Sequence, residues 1–308
     1  MAEPMVSIYV PVFNHEHYVL RALDSIRMQE TAFSFEVFVG EDCSTDNTRA
    51  VLKAWEAKYP DPRFHFFYRE ENMHRQNPNN AGDLKARCKG KYLIGLEGDD
   101  FWTDPKKLQK QVDFLESHPE YYAVAHNCTV VGADDRPNGE TYPECKQENY
   151  TFRHYEEGIL PGQLTTILSR NYMTDPQVDH QLLTCRIGPG DRNNIFAILL
   201  RGKIFCMQEA MSAYRHITQG GSSFSAGYRY NYKTDLAADG NRLERAYLSK
   251  NKEAIRCAQM KYLRCIRGGI TQKQQTFKGA LSDLKPLKGK FSTACRLFVR
   301  DLRKLTKR

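Results

Sequence analysis

The chain has 308 residues, 41% of them apolar, which suffices for one large α/β domain, alone or with a smaller appendage, without disulfide or metal staples. No stretch approaches the ~20 apolar residues of a membrane span, and the opening MAEPMVSIYVPVFN lacks a basic segment ahead of an apolar one, so no secretory signal is expected. Net charge is +8, but 16 of the 45 Lys/Arg and only 3 of the 37 Asp/Glu lie in residues 252–308, so a mildly acidic body carries a strongly basic tail suited to an anionic partner.

SIYVPVF (Ser7–Phe13) reads as a buried strand. Asn14-His15-Glu16 then opens a helical pattern with Val19, Leu20, Leu23 and Ile26 at helix spacing. FEVFVGED (Phe35–Asp42) is a second strand, and Ser44-Thr45-Asp46-Asn47 caps a second helix whose Val51, Leu52 and Trp55 face inward. Asp61-Pro62 marks a break before a third strand, FHFFYRE (Phe64–Glu70). The polar ENMHRQNPNNAGD reads as a loop. KYLIGLEG is a fourth strand, followed by a helix over Pro105–Ser117, and YYAVAHNCTVV (Tyr121–Val131) is a fifth strand. The stretch 132–190 is rich in Pro, Gly and Asn and reads as loops and short elements shaping a pocket. Asp191–Leu200 looks helical. Lys203–Arg215 looks like a strand running on into a second short one, and Gly220–Ser223 like a loop. From about 236 the pattern is mostly helical and increasingly basic.

Strands alternating with helices imply parallel pairing in a three-layer α/β domain, where ligands bind beyond the carboxyl ends of the strands. Asn14/Glu16, Glu41/Asp42/Asp46 and Glu97/Asp99/Asp100 are therefore expected to converge on one crevice. Glu97-Gly98-Asp99-Asp100 puts three carboxylates within four residues after an apolar strand. Such a cluster repels itself unless a cation sits among its oxygens, and a divalent metal carrying a diphosphate meets that need. The nine cysteines show no C-x-x-C pair and read as reduced thiols, which favours the cytoplasm.

VSIYVPVFNHEHYVLRALDSI, EVFVGEDCSTDNT, ARCKGKYLIGLEGDDFW and GPGDRNNIFAILLRGKIFCMQEAMSAYRH, in this order over roughly residues 5–220, resemble the blocks of family 2 glycosyltransferases. The likeness is strongest to bacterial polysaccharide-assembling members. The resemblance implies a GT-A fold, α/β with a mostly parallel central sheet flanked by helices. It implies a catalytic domain over 1–235, with a nucleotide-binding half at about 5–131 and an acceptor half at about 132–235, and a basic, mainly helical extension over 236–308. Two departures stand out. Glu97 replaces the first Asp of the family's D-x-D motif, and His216 directly follows Arg215 where the family often spaces its His two residues on. The Q-x-x-R-W motif of processive synthases is absent.

Glycosyl transfer needs a hold on the nucleotide, a counter-charge for the leaving diphosphate and a base for the acceptor hydroxyl. Pro11, Phe13, Glu16 and Asp42 are the nucleotide candidates. By resemblance Asp42 reads the base, although Asp42 and Asp46 could equally shape the turn and cap the helix. Arg87 could pair with Asp99 or with a phosphate, or be a surface residue. Glu97 and Gly98 are assigned to the nucleotide sugar. Asp99 and Asp100 are the ligands for Mn²⁺ or Mg²⁺, with His216 as a third ligand or a local hydrogen-bonder. Asp191, after Gly188-Pro189-Gly190, is the candidate general base or a helix N-cap. Phe101 and Trp102 stack on a sugar or belong to the core.

The expected partners are a nucleotide-diphosphate sugar, UDP-linked by first expectation, and a saccharide or lipid-linked saccharide acceptor. Nucleic acid is not expected. Phe291, Ala294, Leu297, Phe298, Leu302 and Leu305, interleaved with basic residues, form the pattern of an amphipathic helix on an anionic membrane, which would place the protein on the inner face of the cell membrane. A solvated or packed tail helix is the alternative. An inverting, metal-dependent glycosyltransferase is the leading reading, and a catalytically inactive GT-A-like binding partner the second.

Overall fold

The computed structural model describes residues 3–74, 76, 78–175, 190–217, 231–287 and 298. They fall into two compact units. The first lies within Met1–Thr151, Ile159–His180 and Arg201–Gly227. It contains β1 (Val6–Val12), α1 (Val19–Arg27), β2 (Phe35–Glu41), α2 (Thr48–Lys58), β3 (Phe64–Tyr68), α3 (Asn80–Arg87), β4 (Tyr92–Gly95), β5 (Phe101–Trp102), α4 (Lys107–Ser117), β6 (Tyr121–Val131), β7 (Asn149–Tyr150), β8 (Leu168–Arg170) and β9 (Lys203–Arg215). The strands form one sheet in the order β3-β2-β1-β4-β8-β6-β9-β5, with β7 also on β9.

The half of the sheet built from β3, β2, β1 and β4 is parallel, as alternation of strands and helices requires. β1 lies between β2 and β4, and β3 pairs β2 at the edge. Val6, Ile8, Val10, Val12, Val37, Val39 and Ile94 are buried in one core with Val19, Leu23 and Ile26 of α1. Strands covered on both faces read as continuous apolar runs, which is why β1 is legible as SIYVPVF.

Beyond β4 the pairing is mixed. β8, one of the short elements expected in the 132–190 stretch, runs antiparallel to both β4 and β6. β9 pairs β6 in parallel and β5 and β7 antiparallel. It is one strand rather than two. Its partners jump from His126–Met207 to Asn127–Ala210, so Gln208 and Glu209 form a bulge.

Two local expectations are corrected. α1 starts at Val19, not at Asn14, because Asn14 takes a left-handed backbone (φ 57°) that ends β1 in a turn. The loop expected at 71–83 contains the start of α3, capped by the Asn79 side chain, which accepts the Gly82 N–H at 2.9 Å. Only Leu84 supplies an apolar anchor there. The buried Asn80 amide donates to the Gly40 carbonyl at 2.7 Å, so a polar bond holds this helix on the sheet.

The second unit lies within Phe152–Gly158, Gln181–Leu200 and Tyr228–Arg308. It contains α5 (Phe152–Glu157), most of α6 (Gly190–Arg201), α7 (Tyr232–Ser249), α8 (Lys252–Thr271) and α9 (Phe277–Asp283). Asn231 and Asn251 cap α7 and α8 with their side chains. Arg264 of α8 holds Glu156 of α5 through the Glu156 carbonyl and carboxylate, at 2.6 and 2.9 Å. The acceptor half expected over 132–235 is thus divided between the two units. Gly188-Pro189, the 220–223 loop and the amphipathic tail helix lie outside the described residues, Phe298 excepted. Among the described residues no helix is long and apolar enough to cross a membrane, and the seven described cysteines are free thiols.

Candidate active site

The carboxyl ends of β1, β2 and β4 lie side by side, and their loops are laced together. Asp42 N–H donates to the Val12 carbonyl at 2.9 Å. Asn14 N–H donates to Ser44 Oγ at 3.0 Å, and the Asn14 side-chain oxygen accepts the Thr45 N–H at 2.9 Å. His15 N–H donates to Thr48 Oγ1 at 2.8 Å. Glu16 and Asp46 exchange roles: Glu16 N–H donates to Asp46 Oδ2 at 3.2 Å, and Asn47 N–H to Glu16 Oε2 at 2.9 Å. Asp46 Oδ1 also accepts the Thr48 N–H at 2.9 Å. Burial opposes ionisation of Asp46, but these bonds prevail and hold its carboxyl below the usual range. Asp46 thus serves the start of α2 from one residue ahead of its N-cap, Asn47. Glu16, expected on the nucleotide, spends one oxygen on the start of α2.

Asp42 is buried at the end of β2. Its Oδ1 accepts the Met73 N–H at 2.7 Å. Burial raises its carboxyl above the ordinary range, partly offset by the Met73 bond and by Arg69. Pro11 lies opposite Gly40 in β1, half-buried, and Phe13 is 37% exposed beyond it. Glu41, in contrast, is consumed locally: it accepts the Ser44 N–H at 2.6 Å and pairs with Arg49 at 2.5 Å.

Glu97, Asp99 and Asp100 each offer a carboxylate oxygen, and these oxygens lie within 4.8 Å of one another. The three acids are not equivalent. Asp100 is buried, accepts the Arg215 N–H at 2.8 Å and takes the Thr165 hydroxyl at 3.5 Å. Burial, then the charges of Asp99 and Glu97, push its carboxyl well above the usual range. Glu97 accepts the Gln163 amide at 3.3 Å. Asp99 stands 3.8 Å from His15 Nε2. A Cβ on Gly98 would meet His15 Nδ1 at 2.7 Å, so the imidazole lies against the turn where a side chain would otherwise be. Hard oxygen donors crowded enough to disfavour one ionisation are a fitting donor set for Mg²⁺ or Mn²⁺.

Other expected residues stand elsewhere. Arg87 pairs with Asp83 one helical turn back, at 3.0 Å, lies over Phe67 and is exposed; of the alternatives left open it stands as the surface residue, not as the partner of Asp99. The i,i+4 spacing on α3 offers the nearer acid. His216 Nδ1 meets Glu140 Oε2 at 2.5 Å, and His216 is outside the group of three carboxylates. Asp191 is an exposed residue in the first turn of α6, in the second unit. Phe101 and Trp102 are buried, and Trp102 Nε1 donates to the Thr165 carbonyl at 3.2 Å, so both are core residues. Gln163 and Thr165 do not stand out in the sequence. Gln163 caps a one-turn 3₁₀ helix (Leu164–Thr166) that contains Thr165, and its only signal is a polar pair next to apolar residues.

The sequence profile described as Glycosyl transferase family 2 matches residues 7–173. The chain is 30% identical over 215 residues to the uncharacterized protein Rv1520 of Mycobacterium tuberculosis; the match covers 70% of this chain and 60% of that one. The chain thus spans about 60% of the length of that relative. The putative teichuronic acid biosynthesis glycosyltransferase TuaG of Bacillus subtilis is 33% identical over 113 residues, 37% of this chain and 42% of that protein. Among solved structures, residues 1–349 of S. aureus TarS, in complex with UDP-GlcNAc, superpose with a TM-score of 0.64 at 18% identity, covering 92% of this chain and 81% of that one. The sheet is therefore of the GT-A type that TarS has. With more than half of its length matched by the family profile, the chain belongs to glycosyl transferase family 2.

Proposed function

We propose that the protein is an inverting, metal-dependent glycosyltransferase that moves a sugar from a nucleotide-diphosphate donor to a hydroxyl acceptor in bacterial cell-surface polysaccharide assembly. The observation that carries this reading is the convergence of Glu97, Asp99 and Asp100 oxygens within 4.8 Å beyond β4, inside the family segment. A UDP-linked donor is the first choice, in line with the ligand of TarS. TuaG, by its name, points to polysaccharide assembly, and the acceptor is a saccharide or lipid-linked saccharide. The basic tail would hold the protein at the inner face of an anionic membrane.

In this reading Asp42 receives an N–H from the base edge, Phe13 offers an apolar wall and Pro11 closes the strand end. Asp99 holds the Mn²⁺ or Mg²⁺, with Glu97 beside it, Asp100 behind the turn and His216 as a further candidate ligand. When bound, the metal supplies counter-charge to the departing diphosphate. Asp191 takes the proton from the acceptor hydroxyl. An ordinary carboxylate is a weak base (pKa ~4), so it becomes effective only as the hydroxyl turns acidic in the transition state. A single base acting from the side opposite the leaving group would give in-line displacement and inversion.

The test is a thermal-shift panel of nucleotide sugars and nucleotide diphosphates with and without Mn²⁺, followed by transfer assays on the stabilising donors. A rise in melting temperature with a nucleotide diphosphate, larger with Mn²⁺, is expected. If no nucleotide stabilises the protein in either condition, the reading fails.

A further inference from the structure

Arg215 closes β9, 116 residues away in sequence from the turn it grips. Its side chain is 1% exposed. Nε donates to the Asp99 carbonyl at 2.8 Å, a terminal nitrogen donates to the Gly132 carbonyl at 2.6 Å, and the other pairs with Asp135 Oδ1. Its own backbone N–H holds Asp100 Oδ1 at 2.8 Å. The guanidinium lies over the Tyr18 ring, 4.1 Å from the centroid. All three guanidinium nitrogens thus meet an acceptor, and lysine could not reproduce that fork.

Asp135 is itself fixed. It sits in a tight turn in which Gly132 N–H donates to the Arg136 carbonyl at 2.9 Å, with a left-handed backbone (φ 65°). Its second oxygen pairs with Arg21 of α1, and Arg21 lies 3.9 Å over the Phe101 ring. A carboxylate shared by two guanidiniums therefore ties α1 and β9 to the turn that presents the acidic cluster. Arg215 grips Asp99 by its main-chain oxygen, so the Asp99 carboxylate is not spent on the grip.

We infer that Arg215, held in place by Asp135 and Arg21, is a positioning residue that sets the Asp99–Asp100 turn for a divalent cation. This rests on the metal-site reading above. The residues act through Asp99 and Asp100 and touch neither metal nor sugar.

The experiment compares the wild-type chain with Asp135→Asn, and with Arg21→Gln as a second variant on an exposed helix face. Mn²⁺ affinity is measured by the EPR signal of free Mn²⁺, transfer rate as a function of Mn²⁺ concentration, and melting temperature without metal. Both variants are expected to weaken Mn²⁺ binding by about 10-fold or more, to regain the wild-type rate at high Mn²⁺, and to melt within a few degrees of wild type. Wild-type Mn²⁺ affinity in Asp135→Asn, or a rate loss that excess Mn²⁺ does not restore, overturns the inference. If Asp135→Asn does not fold, the same two results in Arg21→Gln decide it. A wild-type chain that binds no Mn²⁺ refutes the metal-site reading and this inference together, whereas wild-type binding with unchanged variants refutes this inference alone.

Discussion

Lys107 provides the sharpest test of the core behind the site. It is the first residue of α4 and is fully buried, with Nζ 3.9 Å from the centre of the Trp102 ring and no hydrogen-bond partner. Burial alone lowers its amine well below the ordinary 10.5. Burial likewise lowers the imidazole of the nearby His126 well below its ordinary range. Between the folded-state pKa and the unfolded value of ~10.4 the unfolded chain binds one proton more than the native one, so stability rises with pH. Each pH unit inside that window adds about 1.4 kcal/mol. Lys107→Met keeps the stem and removes the amine. It should stabilise the fold by about 1–3 kcal/mol where the unfolded lysine is also neutral, by more as pH falls through the window, and abolish that slope. Urea titrations from pH 7 to pH 10, followed by tryptophan fluorescence, would measure it. Both tryptophans of the chain, Trp55 and Trp102, lie in the sheet unit, so the signal reports that unit. Parallel stability–pH profiles for wild type and Lys107→Met would refute the reasoning, because they would mean that the amine is charged in the fold.

Four further outcomes follow from the site. Asp99→Asn should lose transfer activity by at least about 100-fold while keeping the fold, and Asp100→Asn should lose less Mn²⁺ affinity than Asp99→Asn, because the amide oxygen introduced there can still accept the Arg215 N–H; calorimetry with Mn²⁺ ranks the two. Gly98→Ala puts a methyl 2.7 Å from His15 Nδ1 and 3.1 Å from Val12, and should destabilise by about 1–3 kcal/mol, read as a fall in urea midpoint. Asp46→Ala removes the acceptor of both the Thr48 and Glu16 N–H groups and should cost about 1–2 kcal/mol. The Asp46 carboxyl is lowered in the fold, so that contribution is present above the unfolded value near 4 and fades as pH falls through the folded one.

The parts of the fold that the sequence discloses are those whose partners are uniform. β1 is apolar at nearly every position because sheet and helices cover it on both faces, and the acids after β4 stand out against such a run. α3 is hidden because it meets the sheet through one apolar anchor, Leu84, and a bond from Asn80 to a backbone carbonyl, which together carry no hydrophobic period. β8 has three residues and owes its existence to the free edges of β4 and β6. Arg87 escapes its expected partner for a related reason: motif position suggests Asp99, but a helix turn brings Asp83 nearer. Gln163, Thr165 and Arg215 meet the 97–100 turn from far along the chain, and no local pattern announces such a meeting.

Sequence alone presents Glu97, Asp99 and Asp100 as three similar acids, one of them a deviation from D-x-D. Their surroundings rank them. Asp100 gives its oxygens to the Arg215 N–H and the Thr165 hydroxyl, and burial makes its charge costly. It is the residue that ties the turn to β9. Asp99 is gripped only through its main chain by Arg215, which leaves its carboxylate at the rim beside His15. Glu97 has the longer arm, and the Gln163 amide at 3.3 Å limits how that arm swings. The substitution of Glu for Asp is therefore matched by a buried amide that steadies it. On physical grounds the motif is one open carboxylate, one tethered carboxylate and one anchor.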